Sequence, residues 1–516
     1  MPSHTYTDWS GGEWGNLDSF TASKRPGMFT ASNMKVYSDG LIGPRPGLKK
    51  VATDNWANNG KIYGLFFTAS EGEELVLTHS GSTSVYRGVV TTVTDNLDTI
   101  TWTASTGSLA AAPTDWTSFD RYDPTTIYLL NPDDKPYQFV VTGTPTLTAI
   151  TMPATSGQGW VLRLWRDRLY IASHDNDTAR WRIWYSDAAA FTTIGASNYF
   201  DIGYWWPIWS MTPIRNGLLF GTQGAGWWTL TGQPATGTLR QIYTRGEPDR
   251  PPSTVVDDME RIWFLPQNGA PLAVTNGSTW DFDSFSHLYL SGSEHHGDYS
   301  YTGRDIMFTT TDGSKDILAR HNNVWVKYDT GSIAVDGPIT RYSGDYFLLA
   351  SGGVHGSAAA DFYWYDCSLE RPGFASDDNA QPGDNSTTPV TATMSLAEFW
   401  HPDAHNVRCR SVLIDLIKYD TGSASTNNVT VTVDALSRWQ SEPASSSSQS
   451  WSEAVGSAST AGDEQRVLLN FGDQGVGSGW QIHLSAIRGV KIKAITVVYD
   501  DVPSSVGSRR DGGSNQ

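Results

Sequence analysis

Glu294, His295, His296 and Asp298 make the run in this chain with the donor types of a metal site. Two imidazoles beside two carboxylates suit a zinc-like ion, but His295 and His296 are chain neighbours, and neighbours on a strand point to opposite faces. A solvated loop is therefore the simpler reading. Two turns, His174-Asp175-Asn176-Asp177-Thr178 and Asn131-Pro132-Asp133-Asp134-Lys135-Pro136, hold the carboxylates and carbonyls that calcium prefers. Neither has the fixed spacing and closing Glu of a calcium loop, so both read as polar turns. No cofactor and no metal is expected.

Nucleophilic and phosphate chemistry leave no mark either. The chain has no His-Glu-x-x-His pair, no Gly-x-Ser-x-Gly elbow and no phosphate-cradling P-loop. Gly475, Gly477 and Gly479 lie between strands with no helix to follow, which makes a turn and not an anion site. Binding by aromatic stacking is better represented: Trp205, Trp206 and Trp209 sit in the dense cluster Gly203–Met211, and Trp227 and Trp228 follow. They offer a platform for sugar rings or a partner's apolar patch, or, more plainly, packing within a core.

The elements that must position these residues are hairpins. In Val161–Asp187, Leu169 and Ile171, then Trp181, Ile183 and Tyr185, alternate with polar residues on either side of a polar turn. Similar units begin at Ile62, Thr125, Gly217, Arg261, Asp305 and Asp345, roughly 40 to 50 residues apart but for one longer step, the period of four-stranded propeller blades. Seven hairpins predict an all-β chain with about seven blades over 56–368. The count becomes six or eight according to how the strand signal at Asp98–Ala104 and the Pro-rich Glu247–Val255 are assigned. A propeller can house a glycosidase, which needs two carboxylates flanking a sugar. Yet the Ser-x-Asp-x-Gly-x-x-Trp box of sialidase-type propellers is missing, and Asn276–Trp280 keeps only its Gly-x-x-Trp end.

On either side of the array the pattern changes. Residues 1–55 carry almost no strand periodicity and read as an extended arm, in which Pro44, Pro46 and Gly47 shape a rigid lead-in. Residues 369–390 are a polar linker or loop, 391–502 hold five strands that suit a β-sandwich, and 503–516 form a polar tail.

Composition agrees with strands and turns: 50 Gly, 22 Trp and 22 Tyr, with 17% charged residues. A formal charge of −18 argues against a nucleic-acid groove, which needs clustered Lys and Arg. Cys367 and Cys409 are too few to staple a chain of 516 residues, and a bond between them is the lesser alternative. The N-terminus lacks a basic and then apolar leader, and no stretch approaches about 18 apolar residues, so a soluble product with no membrane partner is expected.

Three sets of residues carry a resemblance. In the arm, Asn33 precedes Gly40-Leu41-Ile42-Gly43-Pro44-Arg45-Pro46-Gly47. In the array, Arg168-Leu169-Tyr170-Ile171-Ala172 is followed by Trp184-Tyr185-Ser186-Asp187 and Phe191. Near the end, His405-Asn406-Val407-Arg408 precedes VGSGWQIHLSAIRGVKIKAITVVYD. Their order and spacing resemble the β-propeller virion proteins of tailed bacteriophages: tail nozzle proteins, head-completion stabilisation proteins and propeller-type minor tail proteins. The resemblance implies a structural, non-enzymatic virion component assembled in the host cytoplasm. It would form a homo-oligomeric tail ring that contacts neighbouring tail proteins and passes DNA without gripping it. It also implies that the arm, with Asn33, Gly40, Arg45, Pro46 and Gly47, clasps a neighbouring subunit. The alternatives are a tail-tip protein that recognises host cell-surface glycan through its Trp residues and, further off, a glycoside hydrolase.

Overall fold

A computed structural model describes residues 2–9, 28, 30–51, 53–54, 60–68, 74–93, 96–132, 134–202, 206–224, 226–243, 254–257, 261–265, 272–275, 279–282, 295–300, 305–310, 316–321, 324–330, 335–342, 346–351, 361–368, 390–401, 406–419, 426–437, 443, 445–454, 463–472 and 476–502. The chain divides into two units, one built from 46–369 and the other chiefly from 1–45 and 387–516.

In the first unit, seven sheets follow one another among the described residues, antiparallel except where Thr53–Asp54 adds to Asn96–Ala104 in parallel. Their first strands are Ile62–Phe67, Ser118–Asp123, Ser156–Trp165, Ile208–Ile214, Thr254–Val256, His295–Ser300 and Ile339–Tyr342, which open blades 1 to 7. Each first strand contacts the next, and the seventh contacts the first. The unit is a closed seven-bladed β-propeller. Asp98–Ala104 belongs to Asn96–Ala104, the fourth strand of blade 1, and the Pro-rich connection ends in the first strand of blade 5.

The hairpin alternation has a different cause from the one its sequence suggests. Leu169 and Ile171 pack with Tyr128 and Leu130 toward blade 2, whereas Tyr170 and Ala172 pack with Met211 and Phe220 toward blade 4. A blade lies between two neighbours, so both faces of its second strand are buried. Glu74–His79 and Gly217–Thr222 are buried along their whole length for the same reason.

Closure uses the chain's beginning. Blade 7 contributes three strands of its own, and its fourth is Lys49–Lys50, paired antiparallel with Tyr363 and Trp364. The Val51 amide then donates to the Phe362 carbonyl at 2.8 Å. Val51, Phe362 and Trp364 share an apolar core with Ile62, Leu75 and Trp102 of blade 1, and this seals the ring.

The second unit is a two-sheet β-sandwich. One sheet orders Met34–Val36, Ile42–Pro44, Val490–Val502, Asn406–Lys418 and Glu464–Asn470, with Ser3–Tyr6 also on Val490–Val502. The other orders Thr30–Ser32, Ala392–Ser395, Gly479–Arg488, Thr426–Leu436 and Ser445–Ala454. Val429, Val431 and Val433 face inward, and Thr430 and Thr432 meet Ser450 and Ser448 at 2.9 and 2.7 Å on the wet face.

The separate arm expected over 1–55 is therefore not what forms. Ser3–Tyr6, Thr30–Ser32, Met34–Val36 and Ile42–Pro44 are sandwich strands, while Lys49–Lys50 is a propeller strand. Trp9, Met28, Met34 and Ile42 are at most 2% exposed. Strands of three or four residues are too short to show a period of two, and most of them pair with strands more than 300 residues away, as in Thr30 with Ser395.

Candidate functional site

The arm residues singled out by the resemblance converge on one hairpin. Met34–Val36 pairs with Ile42–Pro44, and the turn between them has Gly40 at φ 78°. Asp39 closes the turn by accepting the Leu41 amide at 3.0 Å. A Cβ on Gly43 would come within 2.7 Å of the Val490 carbonyl, so only glycine lets this strand approach Val490–Val502.

Asn33 holds the left-handed conformation at φ 58°, which Asn tolerates better than most residues. Its backbone carbonyl accepts the Arg45 amide at 2.9 Å, its side-chain oxygen accepts Arg45 Nε at 3.1 Å, and its amide nitrogen donates to the Thr391 carbonyl at 3.3 Å. Arg45 is 0% exposed, and Pro46 and Gly47 are buried. Lys491, 2% exposed, pairs with Asp39 at 2.8 Å and lies 4.2 Å from the Tyr37 ring centroid. These groups bind their own chain. Asn33 and Arg45 thus lock the two ends of this hairpin to each other, and the Arg45 guanidinium has no exposed surface, while Gly40 at the turn is exposed.

The blade motif is also a lock. Ser186 is 0% exposed; its amide donates to the Leu169 carbonyl at 2.9 Å and its hydroxyl accepts the Leu169 amide at 3.0 Å. Arg168 reaches the Ser186 carbonyl at 2.7 Å, and Phe191 packs in the core between blades 2 and 3.

Among the described tryptophans, Trp227 and Trp228 do not share a platform. Trp227 is fully buried against Phe264 between blades 4 and 5, and its neighbour Trp228 turns to the core between blades 3 and 4. Successive residues of one strand must part in this way. Trp209 is half-buried, Trp206 is 46% exposed, and Trp205 lies outside the described residues. Trp206 lies over Gly224, 2.7 Å from where a Cβ would stand.

The polar turns and the histidine run are spent on structure. Asp175 is fully buried, and its Oδ1 takes both the amide and the hydroxyl of Thr178 at 2.8 Å. Burial acts to raise its pKa, but the Thr178 bonds and the Arg182 guanidinium hold it below the usual carboxylate range. Asp134 accepts from the Ala110 amide, the Tyr137 hydroxyl and the Lys135 amide at 2.6 to 2.7 Å. Glu294 lies outside the described residues, but from His295 on the expected solvated loop is corrected: His295–Ser300 is the first strand of blade 6, and His296, 1% exposed, packs on Trp116 with ring centroids 3.6 Å apart. Among the described residues no group of three or more His, Cys, Asp or Glu is placed to hold a metal ion. Both cysteines are buried free thiols, and no bond joins them.

At the propeller's centre the geometry is more specific. Asp120 of blade 2 accepts the Leu164 amide of blade 3 at 2.7 Å, and Asp298 of blade 6 accepts the Arg341 amide of blade 7 at 2.8 Å. The same stitch recurs at two blade junctions. Its trace in the sequence is an Asp near the middle of a first strand, in SFDRYD and HHGDYS. Burial pushes the Asp120 carboxyl up, against the pull of Arg163 and of two backbone bonds. Carboxylates so committed to amides are poorly placed to flank a sugar.

The geometry makes this an all-β propeller protein. No family model matches the sequence, and no curated protein matches it. Among solved structures, the crystal structure of the WD40 beta propeller domain of Doa1 matches with 11% identity and a TM-score of 0.41, over 62% of this chain and 97% of that one.

Proposed function

We propose that the protein is a structural component of a tailed-bacteriophage virion, within the tail, where a ring of copies contacts neighbouring tail proteins and DNA passes without being gripped. The observation that carries this reading is the coincidence of motif and lock. Asn33, Arg45, Leu169, Ser186 and Phe191, which bear the resemblance, are the residues that hold the sandwich hairpin and the third blade. Such residues serve rigidity, as a virion part requires, and none of them is placed for catalysis. The charge of −18 suits a surface that repels a polyanion.

Within the arm, Arg45 is spent inside its own chain, so in this reading a clasp on a neighbouring subunit would use the exposed turn at Gly40. Glycan recognition loses its main support with the burial of Trp227 and the parting of Trp228 from it. Purified virions, treated to remove loosely bound protein, test the proposal by quantitative mass spectrometry and immunogold labelling. The expected result is a fixed copy number per particle with label confined to the tail. A protein abundant in the lysate but missing from washed particles would overturn it.

A further inference from the structure

Where the first strands converge, a cavity of about 140 Å³ is lined by Arg163, Thr117, Thr254, His296, Asp298 and Thr340, among others. Arg163 is the guanidinium in this lining. Its Nη1 is fully used, donating to the Ser118 hydroxyl at 3.2 Å, the Phe119 carbonyl at 2.9 Å and the Leu162 carbonyl at 2.8 Å. Its Nε and Nη2 have no acceptor among the described residues, and no described carboxylate comes within 4.0 Å of it. Neither nitrogen is among the fully enclosed ones, and Arg163, half-buried, lines the cavity. The two nearby carboxylates are engaged by backbone amides: Asp120 accepts the Arg121 and Leu164 amides at 2.7 Å, and Asp298, itself in the lining, accepts the Tyr299 and Arg341 amides at 2.8 Å.

A guanidinium removed from bulk water without a close counter-charge is costly, and its planar fork matches the oxygens of a carboxylate or phosphate. Burial holds Arg163 below the ordinary arginine range, with Asp120 only partly opposing. A single guanidinium fork in a cavity with no second cation in its described lining suits one small oxyanion. We propose that the propeller centre binds a small oxyanion, phosphate or a carboxylate, through Nε and Nη2 of Arg163 with threonine hydroxyls around it. The inference is independent of the virion reading.

The test is thermal unfolding of the full-length protein in an oxyanion-free chloride buffer, titrated with sodium phosphate, sodium acetate or sodium chloride at matched ionic strength. A saturable rise in Tm with phosphate or acetate, and none with chloride, is expected. Phosphate alone acting identifies a tetrahedral anion; acetate alone identifies a carboxylate, from a free acid or an acidic side chain. Arg163→Met should abolish the rise, and Arg163→Lys, which keeps the charge but loses the fork, should weaken apparent affinity at least about tenfold. If Arg163→Met fails to fold, the lysine variant and ³¹P line broadening on the wild-type protein decide. An unsaturable rise shared with chloride, or Arg163→Lys binding as tightly as wild type, would overturn the proposal.

Discussion

Arg45 donates from Nε to the side-chain oxygen of Asn33, 12 residues earlier, at 3.1 Å, and the guanidinium that does so has no exposed surface. Asn33 is at once a left-handed turn residue and the acceptor for a buried cation. Asn33→Ala loses both properties and is expected to destabilise by roughly 2–4 kcal/mol. Asn33→Gly keeps the backbone freedom and should cost less. Urea denaturation of the two variants separates the terms; equal losses would mean that the conformation contributes nothing.

The ring closure depends on a single short strand. Val51→Pro removes the amide that donates to Phe362 and is expected to cost about 3 kcal/mol or more, whereas Val51→Ala keeps that amide and should cost less. Thermal unfolding followed by tryptophan fluorescence checks the order of the two. A proline variant as stable as the alanine variant would show that the closing strand is dispensable.

His79 is 1% exposed, and burial pushes its imidazole down to about 4. Its Nδ1 accepts the Gly81 amide at 3.1 Å, which an imidazolium cannot do. With the folded pKa below the unfolded value of about 6.5, its contribution is complete above that value and is lost as pH falls toward the folded one. Between about pH 6.5 and 4 the wild-type protein should lose up to about 3 kcal/mol more than His79→Gln. Parallel stability curves over that window would refute this.

Cys367 and Cys409 are 2% and 6% exposed, and burial raises the Cys409 thiol to about 12. Both should react with a disulfide reagent roughly a hundredfold or more slower in the native protein than in denaturant. Two thiols should then titrate without prior reduction. Fewer than two would mean an oxidised pair.

Trp227→Ala should destabilise by about 3–5 kcal/mol, because it empties the core between blades 4 and 5. Trp206→Ala, at an exposed site, should stay within about 0.5 kcal/mol. A polysaccharide bound by the wild-type protein and lost by Trp206→Ala at unchanged stability would revive the stacking reading.

The hairpins were legible because a blade strand alternates its side chains between two neighbouring cores, and Leu169, Ile171, Trp181 and Ile183 show that alternation whatever the neighbours are. The sandwich strands after residue 391 were legible for a related reason: Val429, Val431 and Val433 alternate with threonines that face water. The polar character of the turns at Asp175 and Asp134 could also be read directly, since a carboxylate that caps nearby amides needs no distant partner.

What the sequence by itself determined, then, is the local layer: strands, turns and the seven hairpins. Only the tertiary structure decided where the first 50 residues go, because Ser3–Tyr6, Thr30–Ser32 and Lys49–Lys50 have too few residues to express a period and take their conformation from distant partners. It alone decided that Arg45 is buried inside its own chain, and that Arg163 lines a cavity where the first strands meet. Burial of a charged group depends on what seven first strands or two sheets bring around it, and that surrounding is assembled from residues scattered along the whole chain.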